Sequence, residues 1–317
     1  MALQDIEVKA KELDLEIQKL SELTDAGNLD TAKIRDELIK AKEKMIIAAY
    51  ENLSSYDRVY IARKASRPNA REYIENLFDN FFEQRGDRLY RDDGAIIGGI
   101  ASFAGLPVSV IATLKGRNLQ DNLKCNFGMA NPEGYRKALR IMKQAEKFNR
   151  PIITFIDTSG AYPGMEAEEH GQGEAIARNL MEMSTLTVPV IAIVIGEGGS
   201  GGALALSVAN KIYMLENSIY SILSPEGFAS ILWKDSGRAR EASECMKITS
   251  YDLQDLDVID GIVKEPKGDL SENPEFVYAQ LRLILAEELS TLTKQSSKAL
   301  IEQRYKKFRV LGDCTNV

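Results

Sequence analysis

The chain has 317 residues, 44% hydrophobic and 27% charged, a globular composition long enough for one or two domains. Forty Lys and Arg against 47 Asp and Glu leave a net charge of −7, which argues against a general nucleic-acid-coating role. The longest apolar run, residues 188–195, is far short of the ~20 residues that span a bilayer, and residues 1–20 contain no signal-peptide core, so a cytoplasmic protein with no membrane contact is expected.

Leu3, Ile6, Ala10, Leu13, Ile17 and Leu20 alternate spacings of three and four. After a break at 24–28, Ile34, Leu38, Ala41, Met45 and Ala48 repeat the pattern. The spacing predicts an antiparallel helical hairpin over 1–52, a packing or assembly arm without chemistry. A main domain over 53–317 follows, with its core at about 86–290. There, residues 95–103 and 107–113 flank Ala104-Gly-Leu106 as a β-hairpin. Asn131 is placed as the cap of a helix that opens with Pro132 and runs to about 148. Residues 151–157 read as a buried strand ending in the turn 158–164, and a helix is expected over 173–183. The strand 188–195 runs into Gly196-Glu-Gly-Gly-Ser-Gly-Gly202, with a helix over 203–209. Further strands fall at 211–215 and 218–223, and helices at 275–289 and 297–308. Repeated strand–turn–helix units mean an α/β domain.

Chemistry is restricted by what is scarce. Cys125, Cys245 and Cys314 form no CxxC and His170 is the only histidine, which removes thiolate zinc and multi-histidine sites. Catalysis then falls to backbone groups, carboxylates or a cofactor. The five glycines within 196–202, between a strand and a helix, let a ligand approach the backbone, with free N–H groups and the helix dipole favouring negative charge. A Walker loop fails, because Gly202 and Ala203 stand where Lys and Ser or Thr belong. Gly196-Glu-Gly198-Gly-Ser-Gly201 does match a dinucleotide fingerprint, with Glu216 twenty residues on. An oxyanion hole from the Gly201 and Gly202 amides, or a purely structural turn, are the other readings.

The runs Pro151-Ile-Ile-Thr-Phe-Ile-Asp-Thr-Ser-Gly-Ala-Tyr-Pro-Gly164, Gly196 to Leu204 and Ser224-Pro-Glu-Gly227 resemble the alpha subunits of bacterial acetyl-CoA carboxylase carboxyltransferase. Asn126-Phe-Gly-Met, Pro132 to Arg140 and Ile231-Leu-Trp-Lys234 agree with them. The resemblance implies a crotonase-type (ClpP/crotonase) α/β fold, a spiral of ββα units, with a site shared between alpha and beta subunits. It implies carboxyl transfer from carboxybiotin, held on a biotin carboxyl carrier protein and charged by biotin carboxylase, to acetyl-CoA. Malonyl-CoA for fatty-acid synthesis is the product, and the assembly is a heterotetramer of two alpha and two beta chains. Gly201 and Gly202 would hold the biotin ureido oxygen, and biotin nitrogen would take the substrate's proton. The family's zinc belongs to the beta subunit, so no metal is expected here.

Gly160 and Ala161 are candidates for positioning biotin or its carboxylate through their amides, beside the alternative of a turn that only shapes the pocket. Residues 111–150 carry nine basic side chains against three acidic, and Lys115 and Arg117, at a strand end, are the candidates there for an anionic ligand. Glu166, Glu168, Glu169 and His170 invite a metal reading, though carboxylates at a helix start complement its dipole. Ser200 invites a nucleophile reading with little histidine to support it. The chain departs from the family pattern at Ser159, at Cys125 and over residues 265–271. The alternatives are a hydratase of the same fold class, whose glutamate position holds Leu204, and a scaffold that only recruits a partner.

Overall fold

The computed structural model describes residues 3–25 and 29–312. Helices α1 (Leu3–Asp25) and α2 (Leu29–Glu51) run antiparallel, tied by Lys42 to Asp14 and by Tyr50 donating to Glu7 at 3.0 Å. Residues 26–28 of the turn expected between them lie outside the described residues. The hairpin meets the body near one end, where Glu7 accepts from Tyr60 at 3.0 Å and from Lys64. Helices α3 (Ser55–Ala62) and α4 (Ala70–Leu77) follow. Each opens with a capping box, Ser54 with Asp57 and Asn69 with Glu72, which satisfies orphan amides at both starts.

Among the described residues, eight strands make one sheet: β1 (Asp79–Glu83), β2 (Ile96–Phe103), β3 (Leu106–Thr113), β4 (Ile152–Thr158), β5 (Val190–Gly199), β6 (Lys211–Leu215), β7 (Ile219–Ser221) and β8 (Gly261–Val263). Their order is β1-β2-β3-β4-β5-β6-β8, with β7 paired to β5. The hairpin β2–β3 is antiparallel around the Phe103–Leu106 pair, as the sequence predicts, and every pairing from β3 onward is parallel. Helices α5 (Leu119–Lys124) and α6 (Pro132–Lys147) cross from β3 to β4; α7 (Met165–Glu169) and α8 (Gln172–Thr185) cross from β4 to β5. A single turn, α9 (Ser200–Leu204), leaves β5. Helices α10 (Pro225–Trp233), α11 (Ala239–Met246) and α12 (Ser250–Asp255) lead to β8, and α13 (Glu275–Leu292) and α14 (Ser297–Val310) close the chain.

Strands β4 and β5 are covered on both faces, which is why they read as continuous Ile and Val rather than as an alternation. The strand period sends Ile153 and Phe155 toward Tyr73 and Leu281, and Ile152 and Ile156 toward Ile141 and Met142. Each such side chain contributes about 1.5–3 kcal/mol by leaving water.

Two sequence expectations are corrected. The first four residues of the glycine run are strand, not turn: Gly198 pairs with Thr158 of β4 and Tyr220 of β7. A Cβ at Gly196 would lie 2.4 Å from Asp157 Oδ1, so glycine here admits a neighbouring carboxylate rather than a bend. The helix expected over 203–209 is only α9, and turns follow Leu204. At Asn131 the cap holds no side-chain bond; its N–H instead donates to Asp93 Oδ2 at 2.5 Å.

Candidate active site

Parallel β3, β4 and β5 point the same way, so their carboxyl ends bring together segments far apart in sequence: Lys115, the stretch from Asp157 to Ala161, and the stretch from Glu197 to Gly202. The Lys115 ammonium lies 2.7 Å from Asp157 Oδ1 and 2.9 Å from Glu197 Oε2. Asp157 Oδ1 also accepts the Glu197 N–H at 2.9 Å. Arg63 Nε donates to Glu197 at 2.8 Å and its Nη1 to Glu226 at 2.8 Å. Burial alone would raise the Glu197 carboxyl, but Lys115 and Arg63 outweigh it and hold the group below its ordinary range. Burial would likewise lower Lys115; Asp157 and Glu197 reverse that and raise it. Lys115 therefore keeps its charge but has two carboxylates as its partners.

Above this network the turn after β4 is held by its own polar groups. Thr158 Oγ1 donates to Gly160 O at 2.8 Å and accepts the Gly160 N–H at 3.1 Å. Gly160 has φ of +150°, a backbone that side-chain-bearing residues rarely adopt. Gln172 Nε2 donates to Ala130 O and Tyr162 O, both at 2.9 Å, fixing the far side of the turn. The Ala161 N–H has no acceptor among the described residues.

That turn packs on Gly202. A Cβ at Gly202 would lie 2.6 Å from Ala161 N and 2.8 Å from Gly160 C, so glycine is required for the two backbones to touch. Gly201 differs: a Cβ there would meet only Ile176, at 3.5 Å, an ordinary contact. Nothing within the chain demands glycine at 201. Ser200, just before the pair, is a non-glycine residue at φ +56°, a strained backbone of the kind held at working sites. The first-turn amides of Ser200, Gly201 and Gly202 have no intrahelical acceptor, and Gly199 offers no capping side chain.

The structure thus brings Gly160, Ala161, Gly201 and Gly202 together, with Lys115 beside Asp157 and Glu197 at the neighbouring strand ends. Arg117 points elsewhere: it donates to the carbonyls of Ala65, Ser66 and Arg67 at 3.1, 3.3 and 2.7 Å and pairs with Glu72. Most of the other basic side chains of 111–150 are also engaged. Arg136 bonds Asp87 at 2.9 Å, Lys137 bonds Asp92 at 2.6 Å, and Arg140 donates to Gly86 O at 3.1 Å. His170 Nδ1 lies 2.8 Å from Glu133, which is fully buried, and Glu166 pairs with Arg91 at 2.9 Å. The dinucleotide fingerprint loses its turn, since Gly196 and Gly198 are strand residues, and Glu216 is bonded to Tyr251 and to the Glu265 N–H. Sequence reading missed Asp157, Glu197 and Arg63 as site residues; no local motif joins positions so far apart.

The family described as acetyl co-enzyme A carboxylase carboxyltransferase-like matches residues 3–312. The acetyl-coenzyme A carboxylase carboxyl transferase subunit alpha of Geobacillus thermodenitrificans is 55% identical over 301 residues, covering 95% of this chain and 93% of its own length. The subunit of the same name from Bacillus subtilis is 53% identical over 305 residues, with the same coverage of both chains. Among solved structures, a transcarboxylase 12S chain with methylmalonyl-coenzyme A bound superposes with a TM-score of 0.58 at 18% identity, covering 72% of this chain and 42% of that one. The Pseudomonas malonate decarboxylase MdcD-MdcE heterodimer gives 0.56 at 16%, covering 68% and 88%. The fold is the crotonase-type ββα spiral, and the chain belongs to the family of acetyl-CoA carboxylase carboxyltransferase alpha subunits.

Proposed function

We propose that this chain is the half of a two-subunit carboxyltransferase that receives carboxybiotin from its carrier protein, for transfer of the carboxyl group to acetyl-CoA. Malonyl-CoA is the product, in the cytoplasm, as the first committed step of fatty-acid synthesis. Biotin arrives on the separate carrier, after charging by biotin carboxylase, and is a substrate to this chain. The observation that carries the reading is Gly201, a glycine that neither backbone conformation nor packing requires, next to Gly202, which packing does require. A Cβ at 201 would meet only Ile176, so the glycine there is left for a role outside the chain's own packing.

The amides of Gly201 and Gly202 take up the negative charge that develops on the ureido oxygen as the carboxyl group leaves. The unpaired Ala161 N–H and the Gly160 backbone hold the transferred carboxylate on the other wall. Lys115 sets the spacing of Asp157 and Glu197 beneath them, and Arg117 braces the segment 65–67 beside them. No side-chain base is asked for.

The beta subunit completes the site in a heterotetramer of two alpha and two beta chains. In support, Glu226 on the first turn of α10 shares Arg63 with Glu197, and the helix exposes Ile231 and Leu232. The test is co-expression with the beta subunit and assay of malonyl-CoA-dependent carboxylation of free biotin, with each chain alone as control. Activity only in the mixture supports the reading. An assembled but silent mixture sinks it.

A further inference from the structure

Tyr135, on the first turn of α6, has no exposed surface, and its hydroxyl has no hydrogen-bond partner among the described residues. Buried hydroxyls are nearly always paired, and phenylalanine would fill the same space without forgoing a bond. The hydroxyl is aimed at one place. A Cβ on Gly202 would lie 2.7 Å from Tyr135 Oη, and the same point is 2.6 Å from Ala161 N and 2.8 Å from Gly160 C. The phenol oxygen therefore stands where the turn after β4 meets Gly202, beside an Ala161 N–H that is itself unpaired. Elsewhere the ring is surrounded by the apolar cluster that includes Ala138, Ile141 and Ala203. Burial raises the phenol above its ordinary range, so it stays a neutral donor and acceptor.

We propose that Tyr135 is a positioning residue for carboxyl transfer, its hydroxyl donating to the Gly160 carbonyl so that the Ala161 N–H is presented to a ligand held between that turn and the Gly201–Gly202 amides. The inference rests on the role given to those glycines above. The bond forms in the loaded site, so its effect falls on turnover and not on the stability of the free chain.

The test is Tyr135→Phe in the full chain, assembled with the beta subunit and assayed with malonyl-CoA and free biotin. The expected result is a kcat about tenfold lower, the worth of one neutral hydrogen bond, with KM for malonyl-CoA unchanged. The Tm of the free chain is expected to stay level or rise. An unchanged kcat overturns the proposal. So does a rate loss accompanied by a lower Tm, which would make the hydroxyl a structural bond of the free chain. Amide hydrogen exchange gives a second readout: millimolar free biotin should slow exchange at Ala161 in the wild type and less so in Tyr135→Phe. Equal slowing in both overturns the proposal. If the wild-type assembly transfers no carboxyl group, the carboxyltransferase reading fails separately, and the exchange comparison still decides the role of Tyr135.

Discussion

Arg67 and Glu265 face each other in a two-point pair, Nη1 to Oε2 and Nη2 to Oε1, both at 2.8 Å, with both side chains almost wholly buried. The same guanidinium donates to Ile195 O at 3.0 Å, one residue before the glycine run, and Glu265 accepts the Asn217 N–H at 3.0 Å. This tie joins the segment before α4, the end of β5 and the residues after β8, and so fixes the strand end that carries the site. Removing one partner strands a buried charge, which costs about 3–5 kcal/mol. Arg67→Met is expected to lower urea-unfolding stability by that order. Arg67→Met with Glu265→Leu should recover much of it, and a double variant as unstable as the single one would show that the pair is not the cause.

Acid stability follows from the same carboxylates. Burial would raise Glu265, but Arg67 and Asn217 outweigh it and hold it low, as Lys115 and Arg63 do for Glu197. A carboxyl whose folded pKa is depressed binds fewer protons folded than unfolded. Its stabilisation is therefore complete above the unfolded value of ~4.3 and is lost as pH falls through the folded value. Stability measured by urea unfolding should be level from neutrality to about pH 5 and fall steeply below it. In Lys115→Met, Glu197 loses one of its two cations and its folded pKa moves up toward the unfolded value, so the variant should start from a lower plateau and lose less stability on acidification than the wild type. Identical acid profiles for variant and wild type would remove Lys115 from the account.

Two neighbouring glycines give different outcomes. Alanine at 202 meets backbone atoms and the Tyr135 hydroxyl within 2.7–2.8 Å or closer, so Gly202→Ala is expected to destabilise as well as inactivate. Alanine at 201 meets only Ile176 at 3.5 Å, so Gly201→Ala should keep its Tm and its partner. On the oxyanion reading it nevertheless loses about 10²-fold in kcat, the size seen when an oxyanion donor is disturbed. Full activity in Gly201→Ala would place the charge-stabilising groups elsewhere.

Much of this architecture was legible in the sequence because glycine, proline and Ile/Val runs punctuate it. The β2–β3 hairpin, β4, β6, α6, α8 and the two C-terminal helices fall within a few residues of their expected limits. The glycine run was misread because turn chemistry describes the local chain only. Pairing with β4 and β7 keeps the first part of the run in the sheet, and the Asp157 carboxylate from β4 is what leaves room only for glycine at 196. The short edge strands β1 and β8 carry too few residues to show a period. The ion network of Lys115, Asp157, Glu197 and Arg63 was invisible for the same reason as the glycine contacts: parallel pairing, not spacing, assembles it. Tyr135 lies inside the Pro132 to Arg140 run, and only its burial without a partner among the described residues distinguishes it.

The face of α10 gives the last prediction. Of its nine residues only Pro225 and Ala229 are buried, while Ile231 and Leu232 are 63% and 58% exposed, and nearby Ile222 is 77% exposed. Exposed apolar side chains on one short helix mark a contact region, and here the helix is joined to Glu197 by two ion pairs that share Arg63. A beta subunit that completes the site across this rim would cover it, and burying Leu232 would contribute about 1.5–3 kcal/mol to the association. Leu232→Asp should leave the Tm of the free chain unchanged, because the position already faces water. In sedimentation with the beta subunit it should shift the assembly to free chains at concentrations where the wild type stays associated, and biotin carboxylation should fall in proportion to the chains released. Association at wild-type strength would put the interface on another face of the spiral, whereas free chains that regain full activity on mixing at high concentration would show that α10 supplies affinity and the glycine turn supplies the chemistry.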